Sequence, residues 1–138
     1  MAIDPTTFPY EESRAMDIYK ALERNDIKVF FPSQPVGDCL FPYVIVKNDG
    51  SYKHAKMSTD RDMYSLQCYV PRDRYSELEP LVQKVKRVIT KELYPMIRPY
   101  GQQMPSYYDQ DIKAHYVSVE FENYKKIIGG CINVSCNY

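Results

Sequence analysis

The chain has 138 residues, which is the length of one domain built around one core. Eighteen basic side chains balance eighteen acidic ones, and this removes the simplest electrostatic case for a nucleic-acid or anionic-membrane protein, although a local patch survives a zero sum. No run approaches the roughly 18 apolar residues of a membrane span.

Residues 1–9 hold Pro5 and Pro9 and no clear period, and read as an N-terminal arm. From Tyr10 to about Asn25 the pattern turns helical. Ala15, Ile18, Tyr19 and Leu22 share one face at i, i+3, i+4, i+7 spacing. Asn25-Asp26 is the predicted stop. Ile27–Phe31 reads as a short strand ended by Pro32, followed by a loop with Pro35 and Gly37.

Leu40–Val46 (LFPYVIV) is short, apolar and β-branched towards its end. It reads as a central strand buried on both faces, with Asn48-Asp49-Gly50 as a hairpin-type turn after it. Ser51–Thr59 reads as a polar edge strand or ordered loop, and Asp60-Arg61-Asp62 as a charged connection. In Met63–Val70 the side chains of Tyr64, Leu66, Cys68 and Val70 fall on one face, the mark of a half-buried strand.

A second amphipathic helix follows. Leu81, Val82, Val85, Val88, Ile89 and Leu93 form its apolar stripe. Pro80 fits only the first turn, so the regular helix is predicted to start near Glu79–Pro80 after a preceding turn, and Pro95 marks its end. Ile97–Asp109 reads as a loop of prolines and tyrosines. Gln110–Tyr124 is the longest predicted strand. The fold class expected is α+β: a twisted, mostly antiparallel sheet of four to five strands with two main helices packed on it, in the order α-β-β-(β)-β-α-β. Residues 10–125 form the single domain. Residues 126–138, which include the hinge-like Gly129-Gly130, form a C-terminal extension that either adds a final strand or pairs with a neighbour.

Tyrosine is in excess, with 14 Tyr beside 5 Phe and no Trp. A ring with a hydroxyl suits surfaces that become interfaces; it also suits strands. Met1-Ala2-Ile3-Asp4-Pro5 lacks the features of a signal peptide. Synthesis in the cytosol, with the four cysteines as thiols, is therefore expected.

No catalytic motif is present, and no catalytic, cofactor-binding or metal-binding residue is assigned. His54 and His115 are the only histidines and lie far apart in sequence. Cys131 and Cys136 do not have zinc spacing. Cys39 and Cys68 sit beside apolar residues and read as small core side chains. Asp60, Asp62, Asp109 and Asp111 flank strands, where ordinary turn preference explains them as well as an acid–base site would. The basic helix positions Lys84, Lys86, Arg87 and Lys91 make the best case for nucleic acid, against the plainer reading of a solvated helix face. Arg72, Arg74, Arg98 and Lys113 are candidates to extend that surface.

The order of elements is similar to that of one family. A leading helix is followed by a strand running into a Pro-containing loop (VFFPSQP) and a PY-led apolar strand, Phe41-Pro42-Tyr43-Val44-Ile45-Val46. The strand Tyr64–Val70 then runs into the helix Tyr75–Leu93, a Tyr-rich loop and a long last strand, Asp111–Glu122. Over about residues 10–125 this resembles the tail-terminator, or tail-completion, proteins of long-tailed bacteriophages. The resemblance implies a structural virion protein, not an enzyme, that forms a ring, expected to be hexameric, and needs no cofactor. Its implied partners are copies of itself, the tail tube protein and the head–tail connector, with DNA passing through the lumen without sequence recognition and no membrane. It implies docking surfaces at Lys47–Asp62 and Pro95–Asp109, and termini that reach neighbouring subunits. The extension after Gly129-Gly130 departs from the pattern and leaves an adjoining neck-ring (adaptor or stopper) role open. The alternative from a different class is a small α+β enzyme or ligand-binding domain using Asp60, Asp62, Asp109, Asp111 and His115.

Overall fold

The computed structural model describes residues 14–53, 59–101 and 103–126. The proposed arm, the extension from 127 onward, His54, Cys131 and Cys136 lie outside them. The architecture is α+β, as expected: two helices lie against a mostly antiparallel open sheet.

Helix α1 (Ala15–Arg24) buries Ile18, Ala21 and Leu22 and ends at Asn25, whose side chain donates to Ala21 O. The chain reverses through Asp26 at φ 61° into β1 (Val29–Phe30), which pairs parallel with β2 (Tyr43–Lys53). Strand β3 (Thr59–Pro71) runs antiparallel to β2, and a 3-10 turn (Arg72–Glu77) leads into α2 (Leu78–Glu92). Strands β4 (Ile97–Pro99), β5 (Tyr107–Asp109) and β6 (Ala114–Lys126) follow. Among the described residues the sheet has six strands in the order β1-β2-β3-β6-β4, with β5 pairing on β6.

The alternation of β3 decides the layering. Tyr64, Leu66, Cys68 and Val70 point to the helices and are fully buried. Val44 and Val46 of β2 and Val117, Val119 and Phe121 of β6 join them from either side. Against this surface α2 lays Val82, Val85, Val88 and Ile89 of the stripe legible in the sequence, together with Leu78, expected in the preceding turn, while Leu81 of that stripe is only half-buried. Ser65, Gln67 and Tyr69 point to the other face, which no helix among the described residues covers.

Several expectations are corrected. Among the described residues six strands form, not four to five. The central strand is β3, flanked by β2 and β6. The LFPYVIV strand starts only at Tyr43; Leu40 and Phe41 are exposed, and Ile45 faces the side opposite Val44 and Val46. A run of consecutive apolar residues cannot by itself tell a strand covered on two faces from one covered on one face with a small cluster on the other.

Asn48-Asp49-Gly50 is a bulge inside β2, not a turn. The register moves from Asn48↔Tyr64 to Gly50↔Met63, and Asn48 Oδ1 accepts from Gly50 N at 2.7 Å. Gly50 has φ 107°, which only glycine adopts readily, so the turn-like composition here serves to kink a continuing strand. Asp60–Asp62 lies within β3. The segment from Ile97 to Asp109 contains two short outer strands, β4 and β5. Pro99 hides the first from a sequence reading, yet proline is tolerated on an edge strand because the missing N–H faces away from the ladder.

Candidate interaction surface

The open face of the sheet divides into an aromatic end and a polar end. Cross-strand register sets Tyr43 opposite Tyr69, Tyr69 opposite Tyr116, and Tyr116 opposite Tyr107. The rings follow that row: Tyr43–Tyr69 and Tyr69–Tyr116 stack at 5.2 and 5.1 Å, Phe30 meets Tyr43 edge-on at 5.3 Å, and Tyr107 tilts against Tyr116 at 5.9 Å. Part of the tyrosine excess is thus a ladder of cross-strand pairs. Burial pushes the Tyr69 phenol up to about 12 and raises that of Tyr43 further, since the charged phenolate would lose its water.

The ladder is roofed at one end by the loop before β2. Cys39 N donates to Ile112 O at 2.8 Å, and Cys39, Ala114 and Ile112 pack with the rings. The same loop leaves large apolar side chains outside: Val36 is 90% exposed, Leu40 76% and Phe41 42%, with Phe41 leaning towards Phe30 and Tyr43. These residues sit at the β1–β2 end of the strand order. The sequence pattern placed Leu40 and Phe41 in a buried strand and Val36 in an ordinary Pro- and Gly-containing loop, so none of the three was expected to be exposed as a group.

At the other end of the strand order, around β4 and β5, Tyr94, Met96, Tyr100, Met104, Tyr107 and Tyr108 are exposed. Tyr75, Leu78 and Val82 form a cleft of about 270 Å³ with Met104 and Pro105 of this segment. It is the Tyr-rich segment expected to dock. Between the two ends lies the polar part of the open face, a groove of about 610 Å³. Its charges are largely satisfied within the chain: Ser65 Oγ donates to Asp49, Lys47 Nζ lies 3.8 Å from Asp49, and Arg61 lies 3.5 Å from Glu122 and over the Tyr100 ring.

The residues weighed for catalysis do not converge. Asp62 pairs with Asn123, whereas Asp109 pairs with Ala114 and Ala114 with Pro71. The register therefore separates Asp62 from Asp109 by about nine strand residues, roughly 30 Å. Asp62 is buried and accepts from Tyr64 OH at 3.4 Å, and Asp109 accepts from Asp111 N at 2.9 Å in an ordinary Asx turn. His115 packs between Tyr75 and Tyr108, with ring centroids at 4.7 and 4.9 Å. Cys68 is a core thiol that burial pushes up to about 12, and burial also raises Cys39. Among the described residues no three His, Cys, Asp or Glu side chains gather where a metal ion could be held. None of the described helices is long and apolar enough to cross a membrane.

Neither a known protein-family model nor a curated protein matches the chain.

Proposed function

We propose that the chain is a structural subunit of a long-tailed bacteriophage virion, a tail terminator that forms a ring, hexameric in its family, between the tail tube and the head–tail connector. The observation that supports this most is the presence of two different exposed apolar surfaces at the two ends of one strand order. Val36, Leu40 and Phe41 lie at one end, and the residues around β4 and β5 at the other. A ring is closed by heterologous contacts, in which one patch of each subunit meets a different patch of the next. A small chain with two unlike apolar surfaces has the parts for such a contact, and large exposed apolar side chains in clusters mark interaction sites. The order of elements resembling the tail-terminator family supplies the biological setting, and DNA in the lumen would be met without sequence reading.

The test is the solution mass of the full chain by light scattering over a concentration series, alone and with purified tail tubes. A hexamer, or capture by the tubes, is the expected result. A monomer at every concentration that also ignores the tubes overturns the reading.

A further inference from the structure

The chain is neutral overall, yet its charge is not evenly spread. Residues 84–91 read KVKRVITK, which is four cations and no acid in eight residues. They occupy the middle and last turns of α2. Lys84, Arg87 and Lys91 follow at i, i+3 and i+7, so they share one flank of the helix opposite its buried stripe. Arg87 and Lys91 are exposed and Lys84 half-buried.

The plainest account is that basic residues near a helix C-terminus complement the macrodipole, but that effect fades within the last turn. It covers Lys91 and leaves Lys84, Lys86 and Arg87 to the solvated helix face, which calls for polar residues but not for cations alone. Among the described residues an acid offsets the group only at Lys91, whose charge acts on Glu92. The neighbouring acid, Glu92, is held by Arg24 and Asn25, and these hydrogen bonds, with the charges of Arg24 and Lys91, keep its carboxyl below the usual range. Lys86 donates to the neutral Gln103 at 2.7 Å and so keeps its charge uncompensated. Among the described residues Lys84 and Arg87 enter no ion pair. Of the four other cations weighed from sequence, three are engaged elsewhere: Arg74 with Glu77, Lys113 with Asp38, and Arg98 on Pro95 O; Arg72 lies before α2, in the 3-10 turn.

We infer that this flank of α2 is a contact surface for the phosphate backbone of duplex DNA. From residue 84 to 91 the helix rises about 10 Å. Over that axial length one strand of a duplex presents about three phosphates. Three cations on one flank match that spacing, and the absence of a patterned set of Asn or Gln beside them fits backbone contact rather than base reading. Placing this flank towards a ring lumen rests on the proposed function; binding of a duplex by it does not, so the two can fail separately.

The test is fluorescence anisotropy of a labelled 20-base-pair duplex with the full chain, between 50 and 200 mM salt. Three phosphate contacts predict a slope of about −2.7 in log K against log salt, or roughly 40-fold weaker binding across the series. The triple variant Lys84→Gln, Arg87→Gln, Lys91→Gln is expected to lose both the binding and the slope while melting at the wild-type temperature. A control with the same change in charge, Lys20→Glu with Lys28→Gln, is expected to bind as the wild type does. No binding at 50 mM salt, or binding that both variants weaken equally, overturns the inference. Tighter binding to polyglutamate than to a duplex of equal charge also overturns it, in favour of an acidic protein surface.

Discussion

Replacing Val36 and Leu40 together by serine separates assembly from folding. Full burial of one such side chain stabilises by about 1.5–3 kcal/mol. In the single chain Val36 is 90% exposed and Leu40 76%, so nearly all of that contribution is still to be gained when another surface covers them. After the cost of ordering the loop, about 3 kcal/mol for the pair is a working figure, which corresponds to roughly 100-fold weaker association per interface. The fold itself should move by less than about 0.5 kcal/mol, because neither side chain belongs to either core cluster. Light scattering across a concentration series, or pelleting with tail tubes where assembly needs them, reads the first effect; a urea melt reads the second. A double variant that assembles at wild-type concentration refutes the assignment of this loop to an interface. A variant that melts several kcal/mol lower shows instead that the loop is part of the fold.

Phe121→Ala removes a side chain that is 1% exposed where β6 meets the helices, and should cost about 3–5 kcal/mol in urea unfolding; a loss below about 1 kcal/mol would contradict the packing described. Gly50→Ala meets no atom within 4 Å, so its cost should come from backbone strain at φ 107° alone, about 1–2 kcal/mol, and an unchanged midpoint would mean that the bulge is not held as described. Cys68 carries a folded pKa of about 12 against an ordinary 9.0. Above pH 9 the unfolded chain therefore releases a proton that the folded chain retains, and this stability, full below pH 9, is lost progressively towards pH 12. Cys68→Ala should flatten that part of the stability–pH curve, and a wild-type thiol that reacts with a thiol reagent at pH 8 as fast when folded as in urea would contradict its burial.

The sequence by itself determined both helices and the faces they bury. The spacing of Ile18 and Leu22 in α1, and of Val82, Val85 and Ile89 in α2, leaves only one side that can be taken out of water. Strict alternation marked the helix-facing side of Tyr64 to Val70, but Met63, Ser65 and Tyr69 on the other side are buried too, so β3 is not the half-buried strand expected; Pro80 set the start of α2 to within two residues. These are local signals, each carried by a few residues whose meaning does not depend on distant partners.

What pairs with what lay beyond that reach. Asn48-Asp49-Gly50 has the composition of a turn, and only the ladder to β3 makes it a bulge, because a strand can continue through Gly50 when a partner strand holds it on both sides. β4 and β5 are each three residues long and become strands only because β6 offers them an edge. The open face follows from the same cause. Both helices land on one side of the sheet, so the tyrosines from four separate strands meet on the other, and the separation of Asp62 from Asp109 is fixed by register. Composition displayed the tyrosines and charges, but whether they form a ladder, a groove or a basic flank is a matter of long-range pairing, which only the tertiary structure decided.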